Sequence, residues 1–80
     1  MYNNFAIYSK EGCPFCIKVK EVLEMTGQKY REYLLDVDFT REEFYDQFGS
    51  GSTFPRVILD GVLIGGCTET VQWLQENKIV

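Results

Sequence analysis

Apolar residues come in short runs separated by glycine, proline and charged residues, and these runs set an element order. Phe5-Ala6-Ile7-Tyr8 has the length and continuity of a short buried strand. From Pro14 to Met25, Ile17, Val19, Val22 and Leu23 recur among charged residues. Pro14 suits a first helical position and Gly27 a stop, which predicts a helix opening at Pro14. Tyr33-Leu34-Leu35, followed by Asp36-Val37, predicts a second strand, parallel to the first because a helix connects them. Thr40 and Glu43 have the spacing of a capping box, Phe39 stands where it can staple onto Phe44, Phe48 continues that face, and Gly49 ends the helix. Val57-Ile58-Leu59 and Val62-Leu63-Ile64 flank Asp60-Gly61, a dipeptide suited to the left-handed dihedrals of a two-residue hairpin turn. Thr68 is expected to cap a last helix running to about Asn77, with Val71, Leu74 and Trp73 as its apolar residues. The order β-α-β-α-β-β-α predicts an α/β fold, a four-stranded mixed sheet flanked by three helices.

Eighty residues are too few to divide, so residues 1–80 are expected to form one domain. Hydrophobic residues make up 45% and aromatics 15%, enough for a packed core and too many for a disordered chain. A net charge of −4 disfavours nucleic acid as a partner, because such binding needs cations to displace phosphate counterions. Lys10, Lys18, Lys20, Glu21 and Glu24 interrupt the apolar stretches, and no charged-then-apolar leader precedes Phe5. The expectation is a soluble, cytoplasmic monomer with no membrane partner.

Of three cysteines, Cys13 and Cys16 stand three apart, where a disulfide closes too short a loop to constrain an unfolded chain much. Disulfide exchange, in contrast, needs a thiolate that attacks and a nearby thiol that resolves the intermediate. With Pro14 opening the helix, Cys13 becomes its cap, facing backbone amides and the positive end of the helix dipole. It is therefore expected to be the nucleophile, with Lys10 adding positive charge. Cys16, one turn in, suits the resolving thiol. A metal site is not expected: the chain has no histidine, and three cysteines leave a tetrahedral zinc set incomplete. Cys67 reads as a small packing residue rather than a third reactive thiol.

Three separated motifs resemble those of glutaredoxins over essentially the whole chain: Cys13-Pro14-Phe15-Cys16, Thr53-Phe54-Pro55, and Gly65-Gly66-Cys67-Thr68-Glu69. The resemblance implies a thioredoxin-like fold and a cis bond before Pro55. It also implies glutathione as co-substrate, with no tightly bound cofactor. On that reading Phe54 offers its backbone to the cysteinyl part of glutathione, beside Phe15, Thr53 and Pro55. Gly66, Cys67, Thr68 and Glu69 receive the γ-glutamyl end, and Lys10 meets the glycine carboxylate, where Arg56 could assist. Phe15 replaces the family's usual tyrosine and Glu69 its usual aspartate. The implied partners are glutathione and disulfide-containing proteins, among which ribonucleotide reductase is a family-level candidate.

Three other functions compete: a redoxin reduced by thioredoxin reductase, a scaffold in which two chains share an iron-sulfur cluster through Cys13 and glutathione, and a non-enzymatic interaction module. Pro14 speaks against the cluster, since some cluster-binding members carry a smaller residue there.

Overall fold

The computed structural model describes residues 4–77 and places strand β1 (Phe5–Ser9) inside a four-stranded sheet. It is followed by α1 (Pro14–Met25), β2 (Tyr30–Leu34), α2 (Arg41–Phe48), β3 (Arg56–Leu59), β4 (Val62–Gly65) and α3 (Cys67–Glu76). The sheet order is β2-β1-β3-β4, with β1 parallel to β2 and antiparallel to β3, and β3 antiparallel to β4. The predicted α/β class, strand and helix numbers and element order are all present.

Alternation along β1 gives the sheet two different faces. Phe5 and Ile7 pack with Val19 and Leu23 of α1, Val57 of β3, and Cys67 and Leu74 of α3, forming the aliphatic core. Tyr8 belongs to an aromatic layer, its ring 5.1 Å from Tyr33, 5.1 Å from Phe39 and 5.0 Å from Phe48 of α2. The Thr40–Glu43 capping box starts α2 as expected: the Glu43 N–H donates to Thr40 Oγ1 at 3.1 Å and the Thr40 N–H to Glu43 Oε1 at 2.9 Å. The hairpin turn has Asp60 at φ 50° and Gly61 at φ 84°, as its dipeptide predicts.

Two boundaries differ from the sequence reading. β2 begins at Tyr30, three residues before the expected start, and excludes Leu35, which forms an isolated bridge with Phe39. Asp36 and Val37 are turn residues, Asp36 at φ 66°. β2 is an outer strand, so exposed Arg31 and Glu32 can occupy it. Its extent follows the parallel register with β1, Phe5 opposite Tyr30 to Ser9 opposite Leu34. A cluster on this side joins three elements: Glu32 Oε2 accepts from the Ser9 hydroxyl and from Lys20 of α1, both at 2.7 Å. The last helix starts at Cys67 with Gly66 as its cap, so Thr68 is its second residue and not the cap. A glycine serves there because Glu69 supplies the carboxylate, reaching back to accept from the Gly66 N–H at 3.2 Å.

Candidate active site

The turn after β1 brings Cys13 to the start of α1, with Gly12 at φ 70° taking the left-handed step that side chains resist. Cys13 is the helix cap in extended conformation, and its Sγ accepts from the Cys16 N–H at 3.2 Å. This is the predicted amide-to-sulfur contact at the positive end of the helix. Both cysteines are buried, Cys16 more than Cys13, and they are joined as a disulfide with Cα atoms 5.2 Å apart. The pair therefore has the geometry for opening and closing a bond without moving the backbone far.

The second motif lies between α2 and β3, and its Phe54–Pro55 bond is cis. The Phe54 ring stacks on buried Phe44 of α2 with centroids 4.1 Å apart, which ties this loop to the aromatic layer. Lys10, next to the reactive turn in sequence, holds its Nζ 5.5 Å from the centre of the same ring. The lysine and the loop before Pro55 are thus parts of one surface.

The third motif is the β4–α3 turn. Gly65 has φ 135°, and a Cβ there would stand 2.9 Å from Glu69 Cβ and Cγ, so only glycine lets strand and helix close this tightly. Gly66 donates to Glu69, and its carbonyl accepts from the Thr70 N–H at 3.0 Å and from the buried Thr70 hydroxyl at 2.8 Å. The first amides of α3 have no carbonyl partner within the helix, a setting that favours anions.

A groove of about 200 Å³ joins the three motifs, lined by Phe15, Thr53, Phe54, Pro55, Gly66, Cys67, Thr68 and Glu69. All the expected binding residues except Lys10 line it, and Lys10 sits on the Phe54 ring. Arg56 lines it as well, with a buried Nε that has no hydrogen-bond partner among the described residues. The sequence singled it out only weakly, since the residue after a proline can project to either face. Cys67 packs into the aliphatic core, and burial pushes its thiol pKa up against the opposing pull of Lys18.

The glutaredoxin family profile matches residues 5–64, from β1 into β4. The chain belongs to the glutaredoxin family. It is 34% identical over 77 residues to glutaredoxin-C6 of Oryza sativa subsp. japonica, covering 92% of this chain and 69% of that protein. It is 32% identical over 66 residues to glutaredoxin 3 of Escherichia coli, covering 82% and 80% respectively. Among solved structures, glutaredoxin 1 from Francisella tularensis superposes with a TM-score of 0.79 at 27% identity over 96% of each chain. The buckwheat glutaredoxin-glutathione complex matches equally well, with a TM-score of 0.79 at 26% identity, covering 96% of this chain and 73% of that one. Like its glutaredoxin relatives, the chain is a thiol-disulfide oxidoreductase of thioredoxin-like fold, and Cys13 and Cys16 are its disulfide-forming pair.

Proposed function

We propose that this glutaredoxin uses glutathione to reduce protein disulfides and glutathione mixed disulfides, with Cys13 as nucleophile and Cys16 as resolving thiol. The observation that carries the reading is the single groove formed by the Phe15, Thr53–Pro55 and Gly66–Glu69 segments, which Phe15, standing between the two cysteines in the chain, ties to the reactive motif. Its shape and polarity suit a γ-glutamyl-cysteinyl peptide. The helix α3 amides meet the γ-glutamyl carboxylate, the backbone of Phe54 pairs with the cysteinyl unit, and Lys10 receives the glycine carboxylate.

In the reaction, the Cys13 thiolate attacks the glutathionyl sulfur of a mixed disulfide. The old S–S bond breaks, the client leaves as a thiolate that takes up a proton, and Cys13 carries glutathione as a new disulfide. A second glutathione thiolate then attacks that sulfur, releasing oxidised glutathione and regenerating Cys13. With a protein disulfide, Cys13 forms the mixed disulfide with the client. Cys16 attacks Cys13, expels the client thiolate and closes the Cys13–Cys16 bond seen here, which two glutathiones reopen. The Cys16 N–H on Cys13 Sγ stabilises the sulfur whenever it carries negative charge.

A coupled assay with glutathione, glutathione reductase and NADPH on a small glutathione mixed disulfide tests this. Cys13→Ser should abolish turnover. Cys16→Ser should keep it while losing reduction of a protein disulfide. Substantial turnover by Cys13→Ser, or equal loss of both activities in Cys16→Ser, would refute the assignment.

A further inference from the structure

A larger trough of about 640 Å³ runs between the β3–β4 hairpin and α3 and shares Glu69 with the catalytic groove. Its apolar lining includes Trp73 and two residues of β4 left open to solvent, Val62 at 67% and Leu63 at 48% exposure. Among the described residues β4 pairs with β3 alone, so its other edge presents backbone N–H and C=O groups without a strand partner. Strand edges of this kind are commonly guarded by lysine. This one is flanked by Asp60, Glu69 and Glu76, with no lysine or arginine lining the trough and no ion pair to these carboxylates among the described residues. A second copy docking edge to edge would set these carboxylates against their own counterparts. An extended segment carrying lysine or arginine between apolar residues meets the opposite charge and finds Trp73 as an aromatic face.

We propose that the β4–α3 trough docks an extended cationic segment of the client protein, added as a further strand along β4. This rests on the reading that the enzyme acts on protein clients held as glutathione mixed disulfides. Continuity through Glu69 then lets a client cysteine enter the catalytic groove while its flanking residues lie on β4.

The test uses the full chain and a short peptide of alternating lysine and valine with no cysteine. Trp73 is the chain's single tryptophan, so its fluorescence reports binding directly. The expected result is a saturable fluorescence change, with NMR amide shifts along Val62–Gly65 and weakening in added salt. Glu76→Lys and Leu63→Lys should each lower the affinity, the charge reversal by about two- to five-fold, as exposed charge pairs allow. Neither variant should alter turnover of a small glutathione mixed disulfide, and both should lower kcat/KM for the same peptide extended with a glutathionylated cysteine. Equal binding of a glutamate-valine peptide, shifts centred away from β4, or a dimer formed through β4 overturns the proposal. So do NOEs in the free chain between residues 78–80 and Leu63, which would make the chain's own end the occupant. The first peptide has no sulfur, so docking without turnover refutes only the glutathione reading, and turnover without docking refutes only the trough.

Discussion

Replacing Gly65 by alanine should destabilise the fold by about 1.5–4.5 kcal/mol, from two sources. The first is the backbone: φ at Gly65 is 135°, a conformation that a residue with a side chain holds at about 1–3 kcal/mol. The second is contact. The new methyl would lie 2.9 Å from Glu69 Cβ and Cγ, and Cβ is fixed to the helix, so the first turn of α3 must shift. That shift breaks the bond from the Gly66 N–H to Glu69, a loss of about 0.5–1.5 kcal/mol. An 80-residue domain has only about 4–12 kcal/mol in total, so the change is large. Urea unfolding of the natural chain, Gly65→Ala, Glu69→Ala and the double variant measures both sources. The Gly66–Glu69 bond can be lost only once, so the double variant should fall short of the sum of the singles by about 0.5–1.5 kcal/mol. A loss under about 0.5 kcal/mol for Gly65→Ala, the range of ordinary surface changes, would refute the reasoning. So would additivity of the two substitutions.

Thr40→Ala removes the hydroxyl that caps α2 and should lower stability by about 1 kcal/mol in the same unfolding assay; no change would mean the cap contributes nothing. The Tyr30 hydroxyl donates to Glu24 at 2.6 Å, and that bond, with burial and the nearby carboxylates, pushes its pKa up to about 12. With the folded value above the unfolded one of about 10, this contact stabilises fully below about pH 10 and is lost as pH rises towards 12. Tyr30→Phe should therefore flatten the alkaline decline in stability, and an unchanged decline would count against the contact. Hydrogen bonds from Lys20 and Ser9 hold the Glu32 carboxyl below its ordinary pKa. Its contribution is present above the unfolded value of about 4.3 and lost as pH falls through the folded one. Glu32→Gln should remove about 0.2–1 kcal/mol at neutral pH and less in acid, as suits a partly exposed pair; a loss independent of pH would refute it.

Features written in neighbouring residues were legible in the sequence. Asp60-Gly61 forms its turn, Thr40 and Glu43 bond each other, and Pro14 opens the helix behind Cys13, because each depends on side chains within a few positions. What depends on distant partners was not. Arg31 and Glu32 carry no strand signal, and they are strand residues because β1 offers a parallel register to pair with. The start of α3 was misplaced because Thr68 is the familiar capping type, while the cap is a glycine served by Glu69 from within the helix. The motifs carrying the chemistry were readable in order, and the structure adds that they meet in one groove. Arg56 entered that groove without a clear signal, since its side of the strand is set by pairing with Tyr8.

The walls of this groove come from the beginning of α1, the loop before β3 and the beginning of α3, so it exists only while the whole chain is folded. A molecule held there acts as a removable clasp on the native state. At a hundred times its dissociation constant it adds about 2.7 kcal/mol, a sizeable fraction of what a chain this short can muster. A ligand bound there would lengthen the chain's lifetime against proteolysis as its concentration rises, and its depletion would shorten it.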